Sequence, residues 1–449
     1  MSARIAANLL RARRFLPLLG AQLFGAFNDQ FLKNAMIALV TWGGMGLWGL
    51  ETKTAVPLAG LLFTLPFFLL SSLAGQIADK HDKALVLRKV KFAEIFIMIF
   101  AAIGLILQNP TLLILALMAM GAQSAFFGPS KNAALPQWLS DKELLTGNAV
   151  ISGLLYVLIM VGQILGTLLI LRAGGEYIVA VTLVLFAVLG WLSMRKALPA
   201  PSPNPDLKID YNIVFDTFRN LAFAFKDLPV LRPMLGTAWY YGLSAAVLII
   251  MPAYIEGVLH YNAQVFILTM ISFVIGAALG ALAITILAKG RDAVGLAAIA
   301  AFGIILFSLD LYFSAGINAF TKFDPLVLGA GGKPELGTVA DFFSNSATPR
   351  FLIGLVGAAM SASMFVVPMN TMAQRRANPM QRARLLAAGS IMLNAATTGV
   401  QGLVFLMTLT VLPMQTPFLI IALCTIPIAL YSSYRAWILR KTPAPTGAE

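Results

Sequence analysis

Twelve stretches of roughly twenty mostly apolar residues, separated by polar breaks, constrain this chain more than any other feature. They run over 16–42, 56–77, 92–108, 110–127, 148–170, 177–194, 231–255, 264–288, 293–313, 350–371, 383–409 and 413–434. At 1.5 Å per residue such a stretch is what an α-helix needs to cross the hydrocarbon of a bilayer. Inside lipid a helix satisfies its own backbone hydrogen bonds, which an irregular chain cannot do. The expected fold is an all-α polytopic membrane protein with twelve transmembrane helices. Composition agrees: 11% of the residues are charged, where a soluble domain has about 25%.

The net charge of +13 would suit a nucleic-acid partner if it lay on one soluble face, but Lys and Arg fall in the breaks between spans. With the N-terminus inside, 26 of them lie on the cytoplasmic side and five outside, namely Lys53, Arg172, Lys322, Lys333 and Arg350. That asymmetry places both termini in the cytoplasm and makes the membrane, not nucleic acid, the partner of the charge. The Arg-rich N-terminus runs straight into the first span, so no cleavable signal peptide is expected. One cysteine, Cys424, and two histidines exclude a disulfide framework and a Cys/His metal site. Neither paired carboxylates nor a nucleophile–base arrangement stands out, so the chain is not expected to be an enzyme or to hold a cofactor or metal.

The longest polar gap between cytoplasmic ends divides the spans six and six. The expected domains are an N-terminal six-helix bundle over 1–194, a cytoplasmic linker over 195–230 and a C-terminal six-helix bundle over 231–449. The linker opens with the stiff spacer Pro199-Ala-Pro-Ser-Pro-Asn-Pro205. Val214, Phe218, Leu221 and Phe225 then recur at helical spacing and predict an amphipathic interfacial helix over 210–227. A second long connection, 314–349, contains Gly329-Ala-Gly-Gly-Lys-Pro334. It fails as a phosphate loop, because Val327 stands where a glycine is required and Pro334 where Ser or Thr belongs, so it is expected to be an outside loop.

Polar residues within the spans carry the functional reading. An ionisable side chain deep in a span costs about 2.5–3.5 kcal/mol and usually faces the bundle interior or a wet pathway. Gln22, Asp29 and Lys33 form one polar stripe on the first span. Asp29 and Lys33, four residues apart, share a helix face and can touch. The fifth span repeats the pattern with Asn148, Ser152, Tyr156 and Gln163, and the eleventh with Asn394, Thr397, Thr398 and Gln401. The seventh offers Tyr240, Tyr241 and Ser244, and the tenth ends in Asn370 and Gln374. Such residues either line a cavity or tie helices together at about 0.6 kcal/mol each, and for the eleventh span the two readings weigh equally. Gly162-x-x-x-Gly166 and Gly276-x-x-x-Gly280 read as close-packing motifs. Glu94 reads as a local ion pair with Lys91 near the cytoplasmic surface, and Glu256 and Asp310 as groups reaching water at outer helix ends. No ionisable residue lies deep in a C-terminal span, which suits an amphipathic substrate.

Six plus six spans around a cytoplasmic central loop resemble the major facilitator superfamily. The loop Gly75-Gln-Ile-Ala-Asp79-Lys80-His-Asp-Lys83 is similar to that superfamily's Gly-x-x-x-Asp-(Arg/Lys)-x-x-(Arg/Lys) motif. The resemblance implies that Gly75, Asp79, Lys80 and Lys83 belong to a cytoplasmic gate. It also implies that the polar stripes, with Gln22, Tyr156, Tyr240, Tyr241, Asn394, Thr398 and Gln401, line a central cavity.

Three passages resemble a narrower group, the lysophospholipid transporters. They are Gly25-Ala-Phe-Asn28-Asp29-Gln-Phe-Leu-Lys33-Asn-Ala, Gly128-Pro-Ser-Lys131-Asn-Ala-Ala-Leu-Pro136 running on to Asn148, and Phe365-Val-Val-Pro368-Met-Asn370-Thr-Met-Ala-Gln374. The resemblance implies a monomeric flippase of the bacterial inner membrane, surrounded by membrane lipids. It would move lysophosphatidylethanolamine and its glycerol counterpart from the outer to the inner leaflet for re-acylation. About fifteen residues follow the last span, so a separate cytoplasmic acyltransferase is the expected partner. Carried over position by position, the headgroup set is Asn28, Asp29, Lys33, Lys131, Asn148, Asn370 and Gln374. The family often has a basic residue in the seventh span; none lies between Trp239 and Glu256, and Lys33 is expected to supply that charge. The rival readings are a proton-coupled drug or small-solute exporter of the same fold and a transport-dead scaffold that recruits an acyltransferase.

Overall fold

A computed structural model describes every residue except 1, 203, 213–218, 220, 223–224, 289–293, 317–334, 345–347, 377–381 and 442–449. The first seven helices are α1 (Ser2–Leu9), α2 (Leu16–Thr41), α3 (Thr52–Lys80), α4 (Lys83–Ile106), α5 (Pro110–Trp138), α6 (Asp141–Ile170) and α7 (Gly175–Arg195). The others are α8 (Leu228–Gly257), α9 (Ala263–Ala288), α10 (Val294–Gly316), α11 (Val339–Ser344), α12 (Thr348–Arg376), α13 (Arg382–Thr408) and α14 (Thr416–Lys441). Twelve of these are long, as the apolar pattern predicts, and among the described residues ten are both long and apolar enough to cross a membrane. The two that fall short are α2, with its polar run Asn28-Asp29-Gln30, and α4, with Lys89, Lys91 and Glu94. The polar and charged residues that disqualify them mark where the buried chemistry lies.

Helix starts follow the local sequence. Asn109 caps α5 through its side-chain oxygen, which accepts from Thr111 N at 3.0 Å and Leu112 N at 3.2 Å, with Pro110 at the first helical position. Ser140 and Glu143 close a reciprocal capping box at the start of α6. Asp82 caps α4 by accepting from Leu85 N at 2.9 Å.

The helices cluster into two compact units, residues 1–219 and 220–449. In the first, α2 packs on α6 and α7, α3 on α5, and α4 on α5 and α7. In the second, α8 packs on α13 and α12, α9 on α12, and α10 on α12 and α14. The first long helix of each unit therefore pairs with the fifth, the second with the fourth, and the third with the fourth and sixth. That repeated pairing is the pseudo-symmetry expected of a six-plus-six bundle.

The glycine pairs serve these contacts. A Cβ at Gly162 or Gly166 would strike the carbonyls of Phe27 and Phe31 on α2. One at Gly276 or Gly280 would strike those of Val356 and Met360 on α12. Backbone meets backbone at both places, so the packing reading holds in each unit.

Most of the expected linker helix, including Val214 and Phe218, lies outside the described residues. Leu221 packs against the cluster of Val230, Leu231, Met234 and Met392 in the second unit, whereas Phe225 is exposed. The outside connection is partly structured. Its Gly-rich centre lies outside the described residues, but Gly337 bridges to Tyr261 and short helix α11 buries Phe342 completely. Phe342 sits edge-on to Tyr261 with ring centroids 5.2 Å apart. The end of this segment is thus anchored to the second unit.

Candidate functional site

The polar face of α2 meets α4 and α5 inside the first unit. On α4, Lys91 and Glu94 are three residues apart and share a face. Lys91 Nζ lies 2.5 Å from Glu94 Oε2, and the two side chains are 2% and 1% exposed. The ion pair expected from the sequence is present, but its expected place at the cytoplasmic surface is corrected. Glu94 lies eleven residues into α4, about 16 Å from Lys83 along the axis. Two features accommodate the ammonium. Gly25 of α2 leaves it room, because a Cβ there would collide with Nζ. The ring of Phe127 on α5 faces it at 4.7 Å, a cation–π distance.

Glu94 Oε2 also accepts from Gln123 Nε2 at 3.0 Å. On the next residue, Ser124 Oγ lies 3.3 Å from Gln123 Oε1 and 3.1 Å from Asp29 Oδ2. A continuous polar chain therefore runs Lys91, Glu94, Gln123, Ser124, Asp29 across three helices. Its inner end is sealed, and its outer end, Ser124 and Asp29, is partly exposed. Glu94 Oε1 is buried without a hydrogen-bond partner, so the sealed end is incompletely satisfied.

Asp29 and Lys33 do not close the ion pair that their spacing allows. Asp29 turns to the Ser124 hydroxyl, and Lys33 Nζ turns to the ring of Phe63 on α3, 5.9 Å from its centroid. The i,i+4 spacing permits contact, but the hydroxyl offered by α5 and the ring offered by α3 take the two groups apart.

The other headgroup candidates scatter. Asn28 is fully buried and donates from Nδ2 to the Leu183 carbonyl of α7 at 3.0 Å, so its side chain joins two helices. Lys131 is partly buried, with no carboxylate at ion-pair distance among the described residues. Asn148 is exposed and donates to Leu144 O of its own helix at 3.1 Å. In the second unit Asn370 accepts from Thr237 Oγ1 at 3.1 Å, tying α12 to α8. The side chain of Gln374 lies outside the described residues.

Among the cavity candidates, Gln22, Thr398 and Gln401 are buried, Asn394 is partly buried, and Tyr156 is 65% exposed. Tyr240 and Tyr241 stand edge to face, 5.0 Å between centroids. Gln163 Nε2 donates to Gln30 Oε1 at 3.1 Å, linking α6 to the α2 polar face.

A profile of the Major Facilitator Superfamily matches residues 15–349. The chain belongs to that superfamily. Over 165 residues it is 26% identical to the lysophospholipid transporter LplT of Yersinia pestis (strain Pestoides F) and to that of Yersinia pseudotuberculosis serotype O:3 (strain YPIII). The aligned stretch spans 37% of this chain and 38% of each relative's length. Among solved structures, a POT family transporter in complex with a thioalcohol-conjugated peptide superposes with a TM-score of 0.63 at 14% identity, covering 92% of this chain and 94% of that one. A bacterial homologue of the iron transporter ferroportin, in the inward-facing state, gives 0.62 at 14% identity, covering 96% and 99%. These likenesses are of fold.

The superfamily-like loop has a partner that the sequence did not reveal. The proline-rich stretch lies as a strap across the ends of α3, α4 and α5. Lys83 N donates to Ala200 O at 2.9 Å, Ala200 N to Asp82 Oδ2 at 3.1 Å and Ser202 Oγ to Asp79 O at 2.6 Å. Arg88 reaches Ala197 O at 2.9 Å, and Gln76 exchanges two bonds with the backbone of Asp210, at 2.7 and 3.3 Å. Lys83 is 1% exposed, its ammonium 3.3 Å from Pro201 O, whereas Asp79 is exposed and Lys80 partly so. A Cβ at Gly75 would meet nothing. Proline has no N–H but keeps its carbonyl, so a proline-rich segment is a row of acceptors for the Lys, Arg, Gln and Trp donors around it.

Sequence reasoning missed Gln123 and Ser124 and placed Lys91 and Glu94 at the wrong depth. The usable signal was on α4, where three charges over 89–94 interrupt a span that must otherwise be apolar.

Proposed function

We propose that this chain is a lysophospholipid transporter that moves lysophosphatidylethanolamine and lysophosphatidylglycerol from the outer to the inner leaflet of the bacterial inner membrane by alternating access. In this reading both termini are cytoplasmic, the protein acts as a monomer, and a separate acyltransferase restores the missing chain. The observation that carries the reading is Asp29: a carboxylate within a span, partly exposed, held by a neutral hydroxyl and not by a cation. Such a group is available to the ammonium of an ethanolamine headgroup. Lys33 and Lys131, without carboxylate partners at ion-pair distance among the described residues, are the candidates for its phosphate. The absence of charge among the buried residues described in the second unit suits a single acyl chain. The similarity to lysophospholipid transporters supports the same substrate class.

Proteoliposome uptake of labelled lysophosphatidylethanolamine by wild type and Asp29→Asn tests this. Uptake by wild type and at least a tenfold loss in the variant are expected. Wild-type rates in the variant would remove Asp29 from the mechanism, and no uptake by wild type would sink the substrate assignment.

A second reading, a proton-coupled drug or small-solute exporter, draws on the same carboxylate, since a group without a fixed cation can accept a proton. Collapse of transport by an uncoupler, with lysolipids inert, would favour it.

A further inference from the structure

The polar chain behind Asp29 has a direction, set by which groups can donate. Lys91 only donates and ionised Glu94 only accepts. Gln123 must therefore turn its NH2 to Glu94, 3.0 Å away, which points Oε1 at Ser124. Ser124 has a single hydroxyl proton and two acceptors, Gln123 Oε1 at 3.3 Å and Asp29 Oδ2 at 3.1 Å. The hydroxyl proton lies between the two, nearer the carboxylate as the stronger acceptor, so one three-centre hydrogen bond ties Ser124 to both Gln123 and Asp29.

We propose that Gln123 and Ser124 are positioning residues that fix the Asp29 carboxylate for an ammonium-bearing ligand, Gln123 being locked by the buried Lys91–Glu94 pair. This rests on the reading of Asp29 as a headgroup contact. The geometry supplies the reason for a buried ion pair at this depth: it orients the amide, the amide presents an acceptor to the hydroxyl, and the hydroxyl holds the carboxylate. The charged groups that act on Asp29 are Glu94 and Lys91 from α4 and Lys33 from its own helix. Ser124 lies between Asp29 and the α4 pair.

The test measures uptake kinetics for two headgroups. Lysophosphatidylethanolamine carries an ammonium and lysophosphatidylglycerol does not. In Ser124→Ala the KM for the first should rise at least about tenfold relative to that for the second, the loss of one hydrogen bond to a charged group. Ser124→Thr, which keeps the hydroxyl, should restore the wild-type ratio. Gln123→Leu should move the ratio in the same direction, and the double variant should be no worse than Ser124→Ala, because the two act in series. An unchanged ratio in Ser124→Ala, equal losses for both headgroups, or additive effects in the double variant would overturn the proposal.

A second readout separates this from the substrate assignment. Modification of Asp29 by a hydrophobic carbodiimide, followed by mass spectrometry, requires no transport. Ser124→Ala and Gln123→Leu should each change its rate at least threefold. If wild type takes up neither lysolipid but these rates change, the substrate reading fails and the positioning chain stands. Unchanged rates sink the chain whatever the substrate.

Discussion

The two six-helix units share a pattern of helix pairing but not a chemistry. In the first, Lys91 and Glu94 are sealed inside and linked through Gln123 and Ser124 to Asp29. In the second, every buried polar residue described is uncharged, from Thr237 and Ser272 to Gln401 and Ser432. The same scaffold tolerates both because the pairing is set by small residues and backbone approach, which leave the polar positions free to differ. Glycine pairs bring α6 onto α2 in one unit and α9 onto α12 in the other. Charge in the first unit is therefore an addition to the fold. Its cost in a membrane-spanning bundle argues for a function located there.

The strongest way to break this comparison is to remove one charge from the sealed pair. Lys91→Met leaves Glu94 buried without its cation, an uncompensated charge that costs about 3–5 kcal/mol. Thr398→Val in the second unit removes one tie worth about 0.6 kcal/mol. Thermal unfolding in detergent should show a large fall for the first variant and a small one for the second. Replacing Lys91 and Glu94 together by methionines should recover most of the loss. If Lys91→Met were no worse than Thr398→Val, the pair would be wet, and the contrast between the units would disappear.

Glycine substitutions should show the units to be alike where the fold is concerned. A Cβ at Gly166 would lie 2.5 Å from Phe31 O, and one at Gly280 would press on Met360 O. Gly166→Leu and Gly280→Leu should each destabilise by about 1–3 kcal/mol, as overpacking does. Similar falls in melting temperature are expected. A large fall for one and none for the other would show that close backbone approach does not hold both units together in the same way.

How far all this was legible in the sequence depends on the length scale of each feature. The spans and their six-plus-six division follow from runs of about twenty apolar residues, a signal no local contact can reverse. The glycine pairs were legible because their spacing is set within one helix. The site was legible only by helix. Asp29 and Lys33 share a face, but their partners come from Ser124 and Phe63, far away in sequence. Asn28, next to Asp29 and carried over with it, faces α7 instead, because adjacent helical residues point about 100° apart. The strap was read as a spacer because proline's stiffness is a local property, while the donors that hold it come from three other helix ends.

The finest test of the comparison is a pair of caps outside the spans, one in each unit. Glu143 accepts from the Ser140 hydroxyl at 2.7 Å and the Ser140 N–H at 3.1 Å, and Asp341 accepts from the Thr338 N–H at 2.8 Å and hydroxyl at 2.7 Å. These bonds hold both carboxyls below their ordinary values of 4.5 and 3.8. A depressed carboxyl contributes stability above its unfolded pKa and loses it as pH falls through the folded one. Protection of the Ser140 and Thr338 amides against hydrogen exchange, taken relative to the intrinsic exchange rate at each pH, should therefore be high near neutrality and fall as pH drops below about 4. The caps differ in one respect: Arg14 forms an ion pair with Glu143 at 2.6 Å. Raising the salt concentration, or Arg14→Ala, should move the Glu143 transition upward and leave that of Asp341 in place. Equal salt shifts at both would show that the ion pair adds nothing to the hydrogen-bonded cap. The extra charge in the first unit would then matter only where it is buried.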